Sequence, residues 1–346
     1  MAARTTGAAL ALVLAFVASG CAGERQTRDI ELRDVTDMTG RTVRVPRTIR
    51  SIATLGAVPV INGFLFAFDA GLMIVNGLPT FARSPRFKYQ TVFAPTLASR
   101  PIMQGSGREP DLERLNTAAP DLALTMDRET ADILARGSSI PTVVLAWRQP
   151  DDVESVMRLL GEVFDKPDVA RDYVEYFEST VSRVKTMVSG IPVASRPRVL
   201  YCTLRRLTQE QPISEWWIAT AGGRSVTDAS RTTESFSFTL EQLFAWDPDI
   251  LILSSADDLR ELKADARYAT LKAVRTNAVF VAPTGAHQWA NRTIEQPLTL
   301  LWAVSRFYPE RAAGIDMIGE MQAFYRRFFH VTIDAAQARE ILDAAL

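Results

Sequence analysis

The sequence predicts an α/β protein of two lobes bridged by a single long α-helix, and three observations carry that prediction. The first is the segment Asp168 to Ser189, whose apolar residues Val169, Tyr173, Phe177, Val181, Val184 and Val188 recur in steps of three or four along one stripe. Pro167 stands in front of it and Gly190 and Pro192 behind, so the helix has a start and a stop with neither residue inside. At ~1.5 Å per residue it spans roughly 30 Å, the width of a small domain. The second observation is a repeat. Leu112-Glu113-x-Leu115-x4-Pro120-Asp121 runs into Leu122-Ala123-Leu124, and Leu240-Glu241-x-Leu243-x4-Pro248-Asp249 runs into Ile250-Leu251-Ile252-Leu253. Each copy reads as a short helix, a Pro-Asp turn and a buried strand, one copy on either side of the long helix. The third is the opening of the first lobe: a strand at Arg50 to Thr54, the small-residue turn Leu55-Gly56-Ala57, and an apolar helix from Val58 to Phe68. An open α/β sheet starts this way and binds ligands at the carboxyl ends of its strands.

In chain order, Arg4, the apolar run Ala8 to Val17 and the small residues Ala18-Ser19-Gly20 predict an export leader over 1–20, a run too short to span a bilayer. Ala18-Ser19-Gly20-Cys21 resembles a bacterial lipobox, which implies cleavage before Cys21 and its lipidation; the plainer reading is ordinary cleavage near Ala22. Cys202, the only other cysteine, lies in an apolar run and reads as a small core residue. Residues 21–29 read as a polar tether. Two extended runs around Asp37-Met38-Thr39-Gly40 predict a hairpin within Ile30 to Val45. From Thr80 to Gly107 no period holds; Arg83, Arg86, Lys88 and Arg100 make the stretch basic, and it reads either as a binding loop or lid or as a solvated excursion. The first repeat copy is followed by a helix at Arg128 to Arg136 and a strand at Thr142 to Leu145. Asp151-x-x-Glu154 then caps a helix through Phe164. Beyond the long helix come a strand at Arg198 to Cys202, a helix through Trp216-Trp217-Ile218 that stops at Ala221-Gly222-Gly223, the second copy, and a strand at Ala278 to Ala282. The polar and aromatic loop Thr284 to Arg292 leads to closing helices at Thr293 to Phe307, Arg311 to Phe328 and Asp334 to Ala345. The organisation is a leader at 1–20, a tether at 21–29, a first lobe at 30–164, the bridge at 165–190 and a second lobe with closing helices at 191–346.

A formal charge of −1 over 346 residues gives no basic face for nucleic acid, and 47% hydrophobic with 23% charged residues is globular composition with room for two cores. There is no Gly-x-Ser-x-Gly, P-loop, Gly-x-Gly-x-x-Gly after a strand or His-Glu-x-x-His. With His287 and His330 the only histidines, no bare metal held by a histidine cluster is expected. The residues offer binding surfaces more than reactive groups.

The repeated Leu-Glu-x-Leu-x4-Pro-Asp, the linking helix, Asp37 to Pro46 and Ala221-Gly222-Gly223 together resemble the substrate-binding proteins of ABC importers for iron-siderophores, haem and cobalamin, over nearly all the chain from Ile30 on. The resemblance implies two Rossmann-like lobes with ligand held in the cleft between them, small movement on binding, and no permanently bound cofactor. It implies partners too: an ABC permease dimer with its ATPase subunits, a small-molecule metal chelate, and the membrane through a lipid anchor at Cys21, in the periplasm or at the cell surface. It places Glu113 and Glu241 where each lobe docks onto permease arginines; alternatively each merely stabilises its own helix terminus.

For the cleft, the expected ligand residues are those on loops: Tyr89 from the long loop, Arg128 in the first lobe, and Arg205, Trp217, His287, Trp289 and Arg292 in the second. Arginine pairs with carboxylate, catecholate or phosphate oxygens through a planar fork, and tryptophan stacks on flat ligands. Plainer readings stand beside these: Arg128 on a solvated helix start, Trp216 or Trp217 in the core, His287 on a loop carbonyl. The function expected is capture of a ferric siderophore. Cobalamin, haem, an opine-type metal chelate or a metal oxyanion are alternatives within the class. An enzyme or metallocluster scaffold on the same lobes, or an assembly lipoprotein without small ligand, are alternatives outside it.

Overall fold

The computed structural model describes residues 1, 31–147, 152–209, 211–227, 231 and 233–344. The leader run, the tether with Cys21, and Asp151 lie outside the described residues. The chain from Glu31 on is one compact unit.

It begins with the antiparallel hairpin Leu32–Thr36 and Thr42–Pro46. Its turn is closed by Asp37, whose carboxylate accepts from Thr39 N (2.9 Å), Thr39 Oγ1 (2.7 Å) and the Arg41 guanidinium (2.7 Å). Two parallel sheets follow, built on opposite sides of the long helix in sequence. The first joins Ile52–Leu55, Leu122–Thr125 and Thr142–Val144 in that order; the second runs Val279–Val281, Ile250–Leu253, Arg198–Cys202, Arg224–Ser225. The strands of the first sheet, and Ile250–Leu253 in the second, are buried along their whole length, which is why they read as apolar runs without alternation.

The two repeat copies belong to different sheets and repeat the same local design. Helices Leu112–Ala118 and Leu240–Trp246 are capped by Asp111 and Thr239 and end in left-handed residues, Ala119 (φ 41°) and Asp247 (φ 37°), ahead of the proline. The aspartate then explains itself. Asp121 Oδ2 accepts the backbone N–H of Arg50 (2.8 Å) and Ser51 (3.0 Å), and Asp249 Oδ2 that of Arg198 (2.7 Å). Each Pro-Asp pins the start of the neighbouring strand and so sets the register of its sheet.

The bridging helix is Pro167–Met187, with proline in its first turn, and Gly190 at φ +75° turns the chain beyond it. It lies against helices Asp152–Val163 and Gln296–Phe307, burying Tyr173, Phe177 and Val184. One apolar core runs on both sides of it, from Phe64 and Trp147 to Trp217 and Trp302. The closing helices Met317–Phe328 and Ala335–Leu342 come last in sequence yet pack on the first half. Phe329 meets Phe66 and Phe93 with ring centres 5.4 and 5.0 Å apart, and Lys88 pairs with Glu340 at 2.8 Å.

The aperiodic stretch Thr80 to Gly107 holds short helical turns, Thr80–Arg83, Pro85–Phe87 and Pro95–Ala98, around helix Lys88–Phe93. Prolines at 79, 85 and 95 restart the chain every few residues, so no element is long enough to display a period. It is a wall, not a solvated excursion, because it joins the halves: Arg86 Nη2 donates to Ser254 O at 3.0 Å and Gln90 Nε2 to Ala286 O at 2.6 Å.

Candidate functional site

The carboxyl ends of the strands of the first sheet open onto a cavity of about 520 Å³. One wall comes from the turns that follow the first two strands: Ala57, Pro59 and Val60, then Met126 and Asp127. The facing wall is Gln211 and the loop residues His287, Gln288, Asn291 and Arg292, and the rim is Phe81, Ser84, Arg86, Phe87 and Arg108. Ligand sites at strand ends follow from the sheet itself, where the next helix begins and the backbone turns away. A cavity of about 580 Å³ along the bridging helix, beside Phe177 and Trp216, touches no strand end.

Cations outnumber carboxylates among the described residues lining the cleft. Arg86, Arg108 and Arg292 face it, and Asp127 is the one carboxylate among the described residues of its lining. Asp127 is occupied, capping helix Arg128–Gly137 through Thr130 N (2.7 Å) and accepting from Thr125 Oγ1 (3.1 Å). Arg292 donates its backbone N–H to Gln211 Oε1 (2.9 Å) and pairs with Glu234 through its guanidinium. Arg108 sits at φ 74°, a left-handed conformation that L side chains seldom adopt, with its guanidinium 5.9 Å from the Phe81 ring centre. Phe81 is 46% exposed and Phe87 carries Arg86 over its face at 5.9 Å, so the rim offers apolar rings beside cations. His287 stands 6.0 Å from the Phe87 ring; burial, reinforced by the Arg86 charge, pushes its pKa down to about 3 and keeps the imidazole neutral. Its Nδ1 is buried without a hydrogen-bond partner.

Of the residues expected to hold ligand, the structure brings His287 and Arg292 together in the cleft. The aromatic candidates are corrected. Trp289 is buried beneath the loop with its indole turned to Tyr325, and Trp217 is buried with Nε1 donating to Ala290 O (3.1 Å). Tyr89 is buried with its hydroxyl on Glu340 Oε2 (2.7 Å) and Gln337 O (3.0 Å), and burial followed by the Glu340 contact raises its pKa. Arg128 lies outside the cleft, exposed and 3.8 Å from Asp132. Arg205 lines a neighbouring crevice of about 360 Å³ with Arg86 and Arg206, but Asp257 (3.1 Å) and Asp258 (3.6 Å) neutralise it.

Residues that sequence reasoning passed over are Arg108, Phe87, Asp127 and the loop amides Gln288 and Asn291. Arg86 was visible only as one charge of a basic stretch. The rule that ligands sit after strands points to Ala57 and Asp127 directly; nothing local marks Arg108. Glu113 and Glu241 are both exposed at the second position of their capped helices. Hydrogen bonds from its own backbone N–H and from Thr239 hold the Glu241 carboxyl below the usual range. Among the described residues no three His, Cys, Asp or Glu side chains gather as a metal site, and no helix is long and apolar enough to cross a membrane.

Comparison with known proteins agrees with this geometry. A family model described as periplasmic binding protein matches residues 73–285. The molybdate-binding protein MolA of Haemophilus influenzae is 20% identical over 87% of this chain and 92% of its own length. Its molybdate-bound structure has a TM-score of 0.77, with 19% identity over 87% of this chain and 99% of that one. A periplasmic solute binding protein from Veillonella parvula gives a TM-score of 0.78 at 25% identity, covering 91% of this chain and 98% of the other.

Proposed function

The chain belongs to the periplasmic binding protein family, the solute-binding proteins of ABC transporters, and on that premise we propose that its cargo is an anionic metal chelate, with a ferric siderophore as the leading candidate. One observation carries the reading: the guanidinium groups of Arg86 and Arg108, that of Arg292 with its partner Glu234, and two phenylalanine rings line one cavity of about 520 Å³ in which the one carboxylate among the described lining residues is already spent as a helix cap. Guanidinium forks fit the oxygens of a catecholate or carboxylate shell, while Phe81 and Phe87 fit its flat rings. Neutral His287 adds a lone pair or an N–H without adding charge. Delivery follows the expectation for Glu113 and Glu241, one docking carboxylate on each lobe, with Cys21 as the lipid anchor.

A bare oxyanion is the second reading, favoured by the likeness to MolA and by the same arginines. The cavity exceeds the needs of a tetrahedral ion of five atoms, which is why the chelate comes first.

Calorimetric titration of the protein with a ferric tricatecholate, ferric citrate, haem, cobalamin and molybdate tests both. Saturable binding of an anionic chelate is expected, weakened by salt. Arg86→Ala, Arg108→Ala and Arg292→Ala should each cost about 1.5–3 kcal/mol, roughly 10- to 100-fold in Kd, as charge-assisted bonds do. Saturation by molybdate alone would move the assignment to the oxyanion, and silence toward all five would end the reading.

A further inference from the structure

We infer that Gln90 and Glu295 are positioning residues for ligand capture: a buried hydrogen-bond chain through them holds the two walls of the cleft at a fixed separation. The inference rests on the proposed function for its ligand and on geometry for the rest.

The chain begins on the first sheet. Thr54 Oγ1 donates to Asn62 Oδ1 (2.9 Å), and Asn62 Nδ2 donates to Gln90 Oε1 (2.9 Å). Gln90 Nε2 is shared between Pro59 O (2.9 Å), in the turn that lines the first wall, and Ala286 O (2.6 Å), in the loop that forms the second. One amide group therefore bridges both walls. On the far side of that loop, Glu295 takes the backbone N–H of Ala286 on Oε1 (3.0 Å) and of His287 on Oε2 (3.0 Å). Its remaining lone pairs take Tyr325 Oη (2.5 Å) and Thr293 Oγ1 (3.0 Å). Thr54, Asn62, Gln90, Glu295 and Tyr325 are all fully buried.

A carboxylate in that setting is costly unless its acceptor sites are filled, and here four donors fill them. The packing is specific to it: a Cβ on Gly285 would fall 1.9 Å from Glu295 Oε1 and 2.2 Å from the Tyr325 hydroxyl, so the loop passes here only as glycine. The anchored peptides lie next to His287 and Gln288, and the same loop ends in Asn291 and Arg292. None of the chain's own side chains lines the cavity, so they act on ligand only through the wall they hold.

Glu295→Gln in the full-length chain is the discriminating change. It keeps size and shape but turns one acceptor into a donor; the hydroxyls can rotate to suit, whereas one backbone N–H, of Ala286 or His287, must lose its partner. Amide exchange at 286–287 should accelerate about tenfold or more, as loss of a single local hydrogen bond predicts, while exchange at 251–253 in the second sheet stays unchanged. The Kd for the ferric tricatecholate should weaken by a similar factor. Gln90→Met is the second variant, read by the distance between spin labels at Arg128→Cys and Arg260→Cys in a Cys21→Ser background, Cys202 being buried. A narrow distribution should broaden. Unchanged exchange at 286–287, an unchanged Kd, protection lost equally at 251–253, or an unbroadened distribution would overturn the inference. If the unsubstituted protein binds none of the probes, the proposed ligand is wrong, and exchange and label distances still decide whether the walls are held this way.

Discussion

Loop Thr284 to Arg292 shows how finely function is divided among neighbours. His287, Gln288, Asn291 and Arg292 face the cavity, whereas Trp289 between them is turned into the core, because Thr299 Oγ1 holds Trp289 O at 2.8 Å and Gln296 Nε2 holds Asn291 O at 2.6 Å. Sequence spacing alone cannot separate these roles, since the loop has no period and its facing is set by partners on a later helix. The same applies to Trp216 and Trp217, adjacent on one helix: Trp216 stacks on Phe177 of the bridge, with ring centres 5.9 Å apart, and Trp217 is sealed inside. Trp217→Ala should therefore destabilise the protein by about 3–5 kcal/mol. Chemical denaturation would show this, and the folded fraction should bind ligand with an unchanged Kd; a Kd shift without loss of stability would return Trp217 to the cleft.

Secondary structure was far more legible. Both copies of the repeat, the hairpin, the bridging helix and the longer strands could be read from apolar period, caps and proline, all of which act within a few residues of themselves; the order of strands in each sheet could not. The Thr80 to Gly107 wall was not legible, because turns of three or four residues leave no periodic trace and are fixed by what they touch. What the repeat does at this scale gives a pH prediction. Burial opposes ionisation of Asp249, but the hydrogen bonds from Arg198 N and from Lys272 outweigh it, and its pKa lies below the usual carboxylate value. A depressed folded pKa contributes stability in full above the unfolded pKa of about 3.9 and loses it as pH falls through the folded value. Urea midpoints measured from pH 6 downward should drop on the acid side of ~4, and Asp249→Asn should start lower and fall less steeply there. Parallel curves for the two proteins would show that the aspartate does not clamp its strand.

At the scale of the whole molecule, one carboxylate recurs on each side of the bridge. Glu113 and Glu241 occupy the same position in two similarly built, differently capped helices, and both are exposed. Local helix stabilisation accounts for either one; it does not account for the coincidence. Glu113→Ala with Glu241→Ala should leave the titration curve intact and abolish uptake in cells, measured with a labelled chelate. Undiminished uptake would remove the docking role. The cleft as a whole was predictable from the bridge and paired sheets; of the arginines that line it Arg292 was expected from its loop, whereas Arg86 and Arg108 come from a stretch that only tertiary packing brings beside it.

The late helices carry one more implication. Phe66 and Phe93 belong to the first half but are covered by Phe329, and Tyr89 waits for Glu340. The interior of the amino-terminal half is therefore closed only by contacts from the segment that begins at Met317. Removing that last-made segment of the chain would uncover aromatic surface far from it in sequence.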